Sequence, residues 1–247
     1  MRLIVHLKAQ KDIQQKDFLQ KYNNAMNAYI YGILSDKFPR LHDENDYKGF
    51  CFGNIHPIRS SQIKQGENKR LVISSVNPAY IETLFFAIKN DSLLNLGEGS
   101  FEITDVNLHN VNLGRNDEIC TPFWISLMQQ VSSRPKPLLF NKDKGSYLQQ
   151  LSKNLINKFN KFNDQQISDE LNLFENVDVK QEGKKDEYSQ PLNLNGTNFN
   201  VIGNKLSFKF NNISEEQLKV FQCSFDAGFG EKNSYGFGFM IKRFNND

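Results

Sequence analysis

The sequence predicts an α+β chain made of two successive βαββαβ units. Three observations predict it. Apolar runs alternate between strand-like and helix-like periodicity in the same order twice. Capping residues stand where the helical patterns begin and end. A polar stretch near residues 114–118 divides the chain of 247 residues into two stretches of ordinary domain length.

The first unit is the clearer one. "RLIVHLKA" (2–9) is β-branched and apolar and predicts a strand. Residues 16–38 follow with Phe18, Tyr22, Ala25, Met26, Tyr29 and Ile33 at steps of three or four, one face of a helix, and Pro39 just past its end. Residues 46–55 and 69–76 predict two strands. Asn77 caps a second helix with Pro78 at its first position and an apolar stripe of Ile81, Leu84, Phe85 and Ile88. Residues 99–111 close the set as a strand. This βαββαβ order is the ferredoxin-like split unit, shared with the RNA-recognition sheet.

The second half repeats it. Residues 118–127 predict a strand, and 145–162 a helix with Leu148, Leu151, Leu155, Ile156 and Phe159 on one side. Residues 175–212 hold two or more strands around a charged excursion at 182–189. A helix follows over 214–228, with Ser214 as N-cap and Gly228 as C-cap. Residues 235–244 end the unit as a strand, and the Pro-rich 132–140 is expected to be a loop. The expected domains are 1–115 and 116–247, two tandem ferredoxin-like domains.

Composition narrows the functional classes. The chain is 38% hydrophobic with 21 Phe, enough for a core, and its net charge of +2 is nearly neutral. A nucleic-acid surface must therefore come from local clustering. The three cysteines, Cys51, Cys120 and Cys223, are far apart and odd in number, which predicts neither a disulfide framework nor a zinc site. The short apolar run at the start meets charge at once, and no later stretch approaches a membrane span. A cytoplasmic protein, with no membrane association, is expected.

"DAGFGEKNSYGFGFMIKRF" (226–244) places Gly228-Phe229-Gly230 and Gly236-Phe237-Gly238 around five residues. It lacks the Lys-Ser/Thr of a phosphate-binding Walker loop. Its order of helix, glycines, strand is also the reverse of a dinucleotide fingerprint. Two readings stand. Bare amides could lie against phosphates, with Lys232, Lys242 and Arg243 supplying charge and Phe229, Tyr235 and Phe237 stacking on bases. Alternatively, the segment is a helix C-cap followed by a glycine-kinked strand packed closely on a neighbour. On the segment alone, the second is favoured.

The G-x-G, five residues, G-x-G pattern before a hydrophobic last strand, on two tandem ferredoxin-like units, resembles the RAMP superfamily of CRISPR-associated proteins. Within it, the chain is most similar to the endoribonucleases that cut CRISPR repeat RNA. The resemblance covers essentially the whole chain. It implies a catalytic histidine after the first helix, a tyrosine on that helix and a lysine soon after. "AYIYGILSDKFPRLHDENDYKGF" offers Tyr31, His42 and Lys48. On a helical wheel Tyr29 falls on the apolar face and Tyr31 near the opposite side, free to face something outside the first core; its plain reading is an exposed or inter-domain tyrosine. His42 lies in a polar loop, where Asp43 and Glu44 would raise its pKa; His56 is its rival. Lys48 also has a plain reading, as a strand-edge lysine.

The resemblance implies metal-independent cleavage leaving a 2′,3′-cyclic phosphate and a 5′-hydroxyl. No cofactor or metal is expected. His42 would act as general acid or acid/base, Tyr31 as base or orienter, and Lys48 as phosphate stabiliser. The glycine-rich loop, with Gly228, Gly230, Lys232, Gly236 and Gly238, would bind RNA backbone, helped by a basic face of Arg134, Lys136 and Lys153. The expected partners are precursor and mature CRISPR repeat RNA and, transiently, an effector complex, with the chain a monomer or homodimer. The competing reading is a non-catalytic RAMP subunit that holds guide RNA in an interference complex.

Overall fold

The structure is a computed structural model that describes residues 1–41, 47–58, 60–131, 134–194 and 196–243. It divides into two compact units. Unit 1 comprises Met1–Val111, Gln190–Asn200 and Ser234–Gly236; unit 2 comprises Asn112–Ser189, Val201–Asn233 and Phe237–Asp247.

In unit 1 the strands are β1 (Arg2–Ala9), β2 (Ile13–Gln14), β3 (Phe50–Phe52), β4 (Gln62–Ile63), β5 (Asn68–Ser75), β6 (Leu93–Leu96) and β7 (Gly99–His109). The helices are α1 (Gln15–Leu34) and α2 (Pro78–Asn90). Five strands form an antiparallel sheet in the order β3-β5-β1-β7-β6. Leaving out the edge strand β6, the order is second, third, first, fourth, which is the ferredoxin-like arrangement. β1 is central because Leu3, Val5 and Leu7 alternate onto one face and are fully buried there. Phe18, Tyr22, Met26, Ile30 and Leu34 of α1 and Ile81, Leu84 and Ile88 of α2 cover that face. Phe18 packs on Phe101 at 5.8 Å between ring centroids, and the Tyr22 hydroxyl donates to Gly53 O at 2.6 Å. Each such burial contributes about 1.5–3 kcal/mol.

α2 starts as the capping residues predict, the Asn77 side chain accepting from Ala79 N at 3.0 Å. α1 stops at Leu34, four residues short of the periodic pattern. A turn and a 3-10 segment, Pro39–Leu41, follow, since a residue before proline is disfavoured in the helical region. β6 is an addition: it pairs with β7 through a turn containing Gly97 at φ +57°.

In unit 2 the strands are β8 (Glu118–Cys120), β9 (Met128–Val131), β10 (Arg134–Pro137), β11 (Val177–Gln181), β12 (Tyr188–Leu194), β13 (Thr197–Gly203), β14 (Leu206–Phe210) and β15 (Ile241–Arg243), some residues of β12 and β13 counting with unit 1. The helices are α3 (Lys144–Phe162) and α4 (Glu215–Ala227). The sheet order β11-β14-β8-β15 is again second, third, first, fourth. Ile119, Leu206, Phe208 and Phe210 of the sheet are buried, as are Leu151, Leu155 and Phe159 of α3 and Val220, Phe221 and Phe225 of α4, with Phe210 packed on Phe221 at 4.8 Å between ring centroids.

Ser214 caps α4 in a reciprocal box: Gln217 N donates to Ser214 Oγ at 3.1 Å and Ser214 N to Gln217 Oε1 at 2.7 Å. Ser214→Ala is expected to lower stability by about 1 kcal/mol, read as a lower urea midpoint at unchanged m-value. An unshifted midpoint would show that the box contributes nothing.

Two expectations are corrected here. Residues 132–140 are not a plain loop, because β10 pairs with β9, with Pro135 opposite Gln130 and Pro137 opposite Met128. Only every second residue of a two-stranded hairpin must donate to its partner, so a Pro-x-Pro spacing is tolerated. The last strand is also three residues long, not ten. The glycines before it sit at positive φ and hold the backbone out of the extended form.

Candidate functional site

Of the three catalytic candidates, His42 lies outside the described residues. Lys48 is half-buried, and its Nζ donates to Leu41 O at 2.7 Å. It is thereby fastened to the carbonyl of the residue that directly precedes His42 in the chain. Tyr31 does not face outward. It is 8% exposed, and its ring meets Phe50 edge-on at 5.7 Å.

Phe50 of β3 covers it within the hydrophobic core, and α1 is covered along two stripes. Asn23, Asn27 and Tyr31 are spaced i, i+4, i+8 and form the second one. In unit 1, Asn23 Nδ2 donates to Tyr235 O at 2.5 Å and Asn27 Nδ2 to Ser234 O at 2.9 Å, while Gln190 Nε2 donates to Asn23 Oδ1 at 2.5 Å. A hydrophobic wheel does not register a face built from asparagines. The rival His56 is exposed and tied to β5 by backbone bonds in both directions with Arg70.

The glycine-rich loop is a closely packed backbone knot. All four glycines are buried, at φ +93° (Gly228), +69° (Gly230), +83° (Gly236) and +73° (Gly238). A Cβ on Gly238 would lie 1.8 Å from Phe229 O, and one on Gly230 2.5 Å from Ser126 O. In unit 1, a Cβ on Gly236 would meet the Phe52 ring at 2.7 Å. The close-packing reading is therefore met. Base stacking by Phe229 and Phe237 is not: both are completely buried, Phe229 against Phe208 at 5.2 Å and Phe237 against Phe123 at 5.2 Å. Tyr235 is half-buried.

At the centre of the knot is a residue the sequence reading passed over. Lys158 of α3 is 1% exposed, and its Nζ donates to Gly228 O at 2.6 Å, Gly230 O at 2.5 Å and Asn233 Oδ1 at 2.7 Å. Asn233 Nδ2 in turn donates to Phe229 O at 3.0 Å and Phe237 O at 2.8 Å. A buried ammonium is tolerable only with such acceptors. Its removal would orphan them at about 1–3 kcal/mol each. A signal did exist: Lys158 stands three residues after Leu155 and seven after Leu151, on the buried stripe of α3.

Beside the loop, Lys242 is held by Asp117 at 2.7 Å and Arg243 by Glu182 at 2.7 Å and by Glu118. Lys232 is exposed, at φ +58°. Its neighbour Glu231 accepts from Met128 N at 3.2 Å; burial pushes the Glu231 carboxyl up, opposed by that bond and by the charges of Lys232 and Lys158. Lys136, on β10, and Lys153, on α3, are exposed, and Arg134 opens β10. Among the described residues, no three His, Cys, Asp or Glu side chains cluster as a metal site requires, and no helix is long and apolar enough to cross a membrane.

Two units of βαββαβ order, the second joining its last helix to its last strand by a glycine-rich knot, are the arrangement that the resemblance to RAMP proteins implies. Residues 115–241 match the family described as CRISPR associated protein Cas6, C-terminal. The chain is 26% identical to the CRISPR-associated endoribonuclease Cas6 2 of Methanocaldococcus jannaschii, over 97% of this chain and 98% of that protein. It is 24% identical to the CRISPR-associated endoribonuclease Cas6 of Haloferax mediterranei, over 97% and 92%. The solved structure of a Cas6-related protein from Pyrococcus furiosus superposes with a TM-score of 0.72 at 16% identity, over 100% of this chain and 99% of that one. This chain belongs to the Cas6 family.

Proposed function

We propose that the chain is an endoribonuclease that cuts CRISPR precursor RNA within each repeat to release guide RNAs. The observation that carries this reading is the end-to-end similarity to the Methanocaldococcus jannaschii endoribonuclease. In the mechanism we propose, the 2′-oxygen beside the scissile phosphate attacks phosphorus and the P–O5′ bond breaks. The products are a 2′,3′-cyclic phosphate and a 5′-hydroxyl. Either Tyr31 takes the 2′-hydroxyl proton and His42 protonates the departing 5′-oxygen, or Tyr31 orients the hydroxyl while His42 both takes that proton and delivers one to the 5′-oxygen; exchanging the acid and base roles leaves the bond changes the same. Lys48 stabilises the charge of the crowded phosphate. Its bond to Leu41 O supports this by tying its ammonium to the chain next to His42. The ring contact with Phe50 supports an orienting role for Tyr31, because it fixes the ring.

In this reading the first domain, residues 1–115, carries the chemistry. The second, 116–247, carries the glycine-rich loop, with Lys232 contacting RNA backbone and Arg134, Lys136 and Lys153 extending the basic surface. The protein works in the prokaryotic cytosol as a monomer or homodimer, in transient contact with an effector complex.

The test is cleavage of the repeat RNA in excess EDTA, beside a copy with one 2′-deoxy nucleotide just upstream of the mapped cut. The all-ribose RNA is expected to be cut at its full rate and the deoxy copy to stay intact. Cleavage of the deoxy copy would refute 2′-hydroxyl attack. Loss of cleavage in EDTA would refute metal independence. An intact all-ribose RNA with and without metal would point to the non-catalytic subunit instead.

A further inference from the structure

We propose that Lys158 is a positioning residue for RNA binding: from inside unit 2 it sets the orientation of the glycine-rich loop and so presents Lys232 to a backbone phosphate. This rests on the reading of that loop as an RNA contact.

An ammonium has three N–H donors, and Lys158 directs them to three acceptors of the loop, Gly228 O, Gly230 O and Asn233 Oδ1. In a trans peptide the C=O and the following N–H point in opposite directions. With Gly228 O turned toward Lys158, Phe229 N is turned away and donates to Gly238 O at 2.9 Å. With Gly230 O turned the same way, Glu231 N donates to Ser126 O at 2.8 Å. One cation thus orients two peptide planes, and those planes tie the first glycine cluster to the second and to the chain at Ser126.

Lys158 also decides the orientation of Asn233. A donor-only group must face the amide oxygen, which leaves Nδ2 to donate to Phe229 O and Phe237 O, one carbonyl in each Gly-Phe-Gly cluster. Glycine is required at 228 because a Cβ there would lie 2.6 Å from Asn233 Nδ2. Lys232 sits between two residues held in this way, Glu231 and Asn233, in a left-handed conformation that L side chains rarely adopt, with its side chain exposed. The surrounding bonds hold that residue where it is, and backbone held so against preference is concentrated at ligand contacts. A leucine at 158 would continue the buried stripe of α3 without the cost of a buried charge. The lysine is explained by the loop.

The experiment is a double-mutant cycle on the full chain, read as affinity for repeat RNA with a 2′-deoxy nucleotide at the cut, over a series of salt concentrations. Lys232→Ala is expected to weaken binding several-fold and to lower the slope of log affinity against log salt by about 0.7, one phosphate contact on a single strand. Lys158→Met, with its cooperative melting transition retained, is expected to do the same, and the double variant to be no weaker than either single one. A purely structural lysine would reduce the competent fraction and leave the salt slope untouched. An unchanged slope in Lys158→Met, or additive losses, overturns the proposal and leaves the loop as an RNA contact. A Lys232→Ala variant that binds as wild type overturns both. If Lys158→Met does not fold, Asn233→Ala removes the other half of the same hub and takes its place in the cycle, with the same outcomes.

Discussion

His42→Ala is expected to lower the single-turnover rate of repeat-RNA cleavage by about 10²–10⁴-fold, the contribution of a positioned acid–base group. Binding of a 2′-deoxy repeat RNA should persist, because in the proposed roles the variant removes a proton donor and leaves the glycine-rich loop and Lys232 in place. The pairing of the two measurements matters. A loss of both would mean that the 41–48 segment helps to hold RNA rather than to transfer a proton. Cleavage at the wild-type rate would remove His42 from the mechanism and turn attention to His56, which is exposed and held on both sides of its peptide by Arg70. Lys48 supplies the structural context for the first outcome, since its bond to Leu41 O ties a cation to the chain one residue before His42.

The second large effect is on folding. Gly238→Ala is expected to cost more than about 3 kcal/mol, enough to lose the native unit 2 in a protein of ordinary stability. The added Cβ would meet Phe229 O at 1.8 Å and the Phe229 carbonyl carbon and nitrogen at 2.8 and 2.9 Å, all backbone atoms with no side chain to swing aside. The φ of +73° adds its own penalty. Gly196→Ala is the control: it has a similar φ of +82° but open space around it, so it should cost only about 1–2 kcal/mol. Thermal unfolding of the two variants separates clash from conformation. Equal melting temperatures would mean that the loop gives way easily and is not the knot described above.

The order of elements was readable because burial on one face leaves a period in the chain. Leu3, Val5 and Leu7 alternate, Phe18, Tyr22 and Met26 step by four, and Asn77-Pro78 and Ser214 announce helix starts. Such signals are local, and both ferredoxin-like units follow from them. The glycine spacing was readable too, as was its preference for close packing. Other features depended on partners remote in sequence. Tyr31 is buried because Phe50 of β3 packs against its ring, a contact that the period of α1 does not show. The Pro135 and Pro137 hairpin depends on register against β9. Phe229 and Phe237, aromatic beside glycines, have the composition of a stacking platform, yet the core claims both. Lys158 shows the limit most plainly. In sequence it is one of many lysines on an amphipathic helix. Only folding brings it to the carbonyls of Gly228 and Gly230, 70 and 72 residues later in the chain.

By itself, then, the sequence determined the two α+β units, their helix caps and the glycine pattern of the family, because periodicity and turn chemistry act over a few residues. Only the tertiary structure decided which face of α1 is open, which cations are engaged and what holds the loop. Those depend on which distant polar groups meet where water is excluded, and a buried charge settles wherever the fold supplies its acceptors.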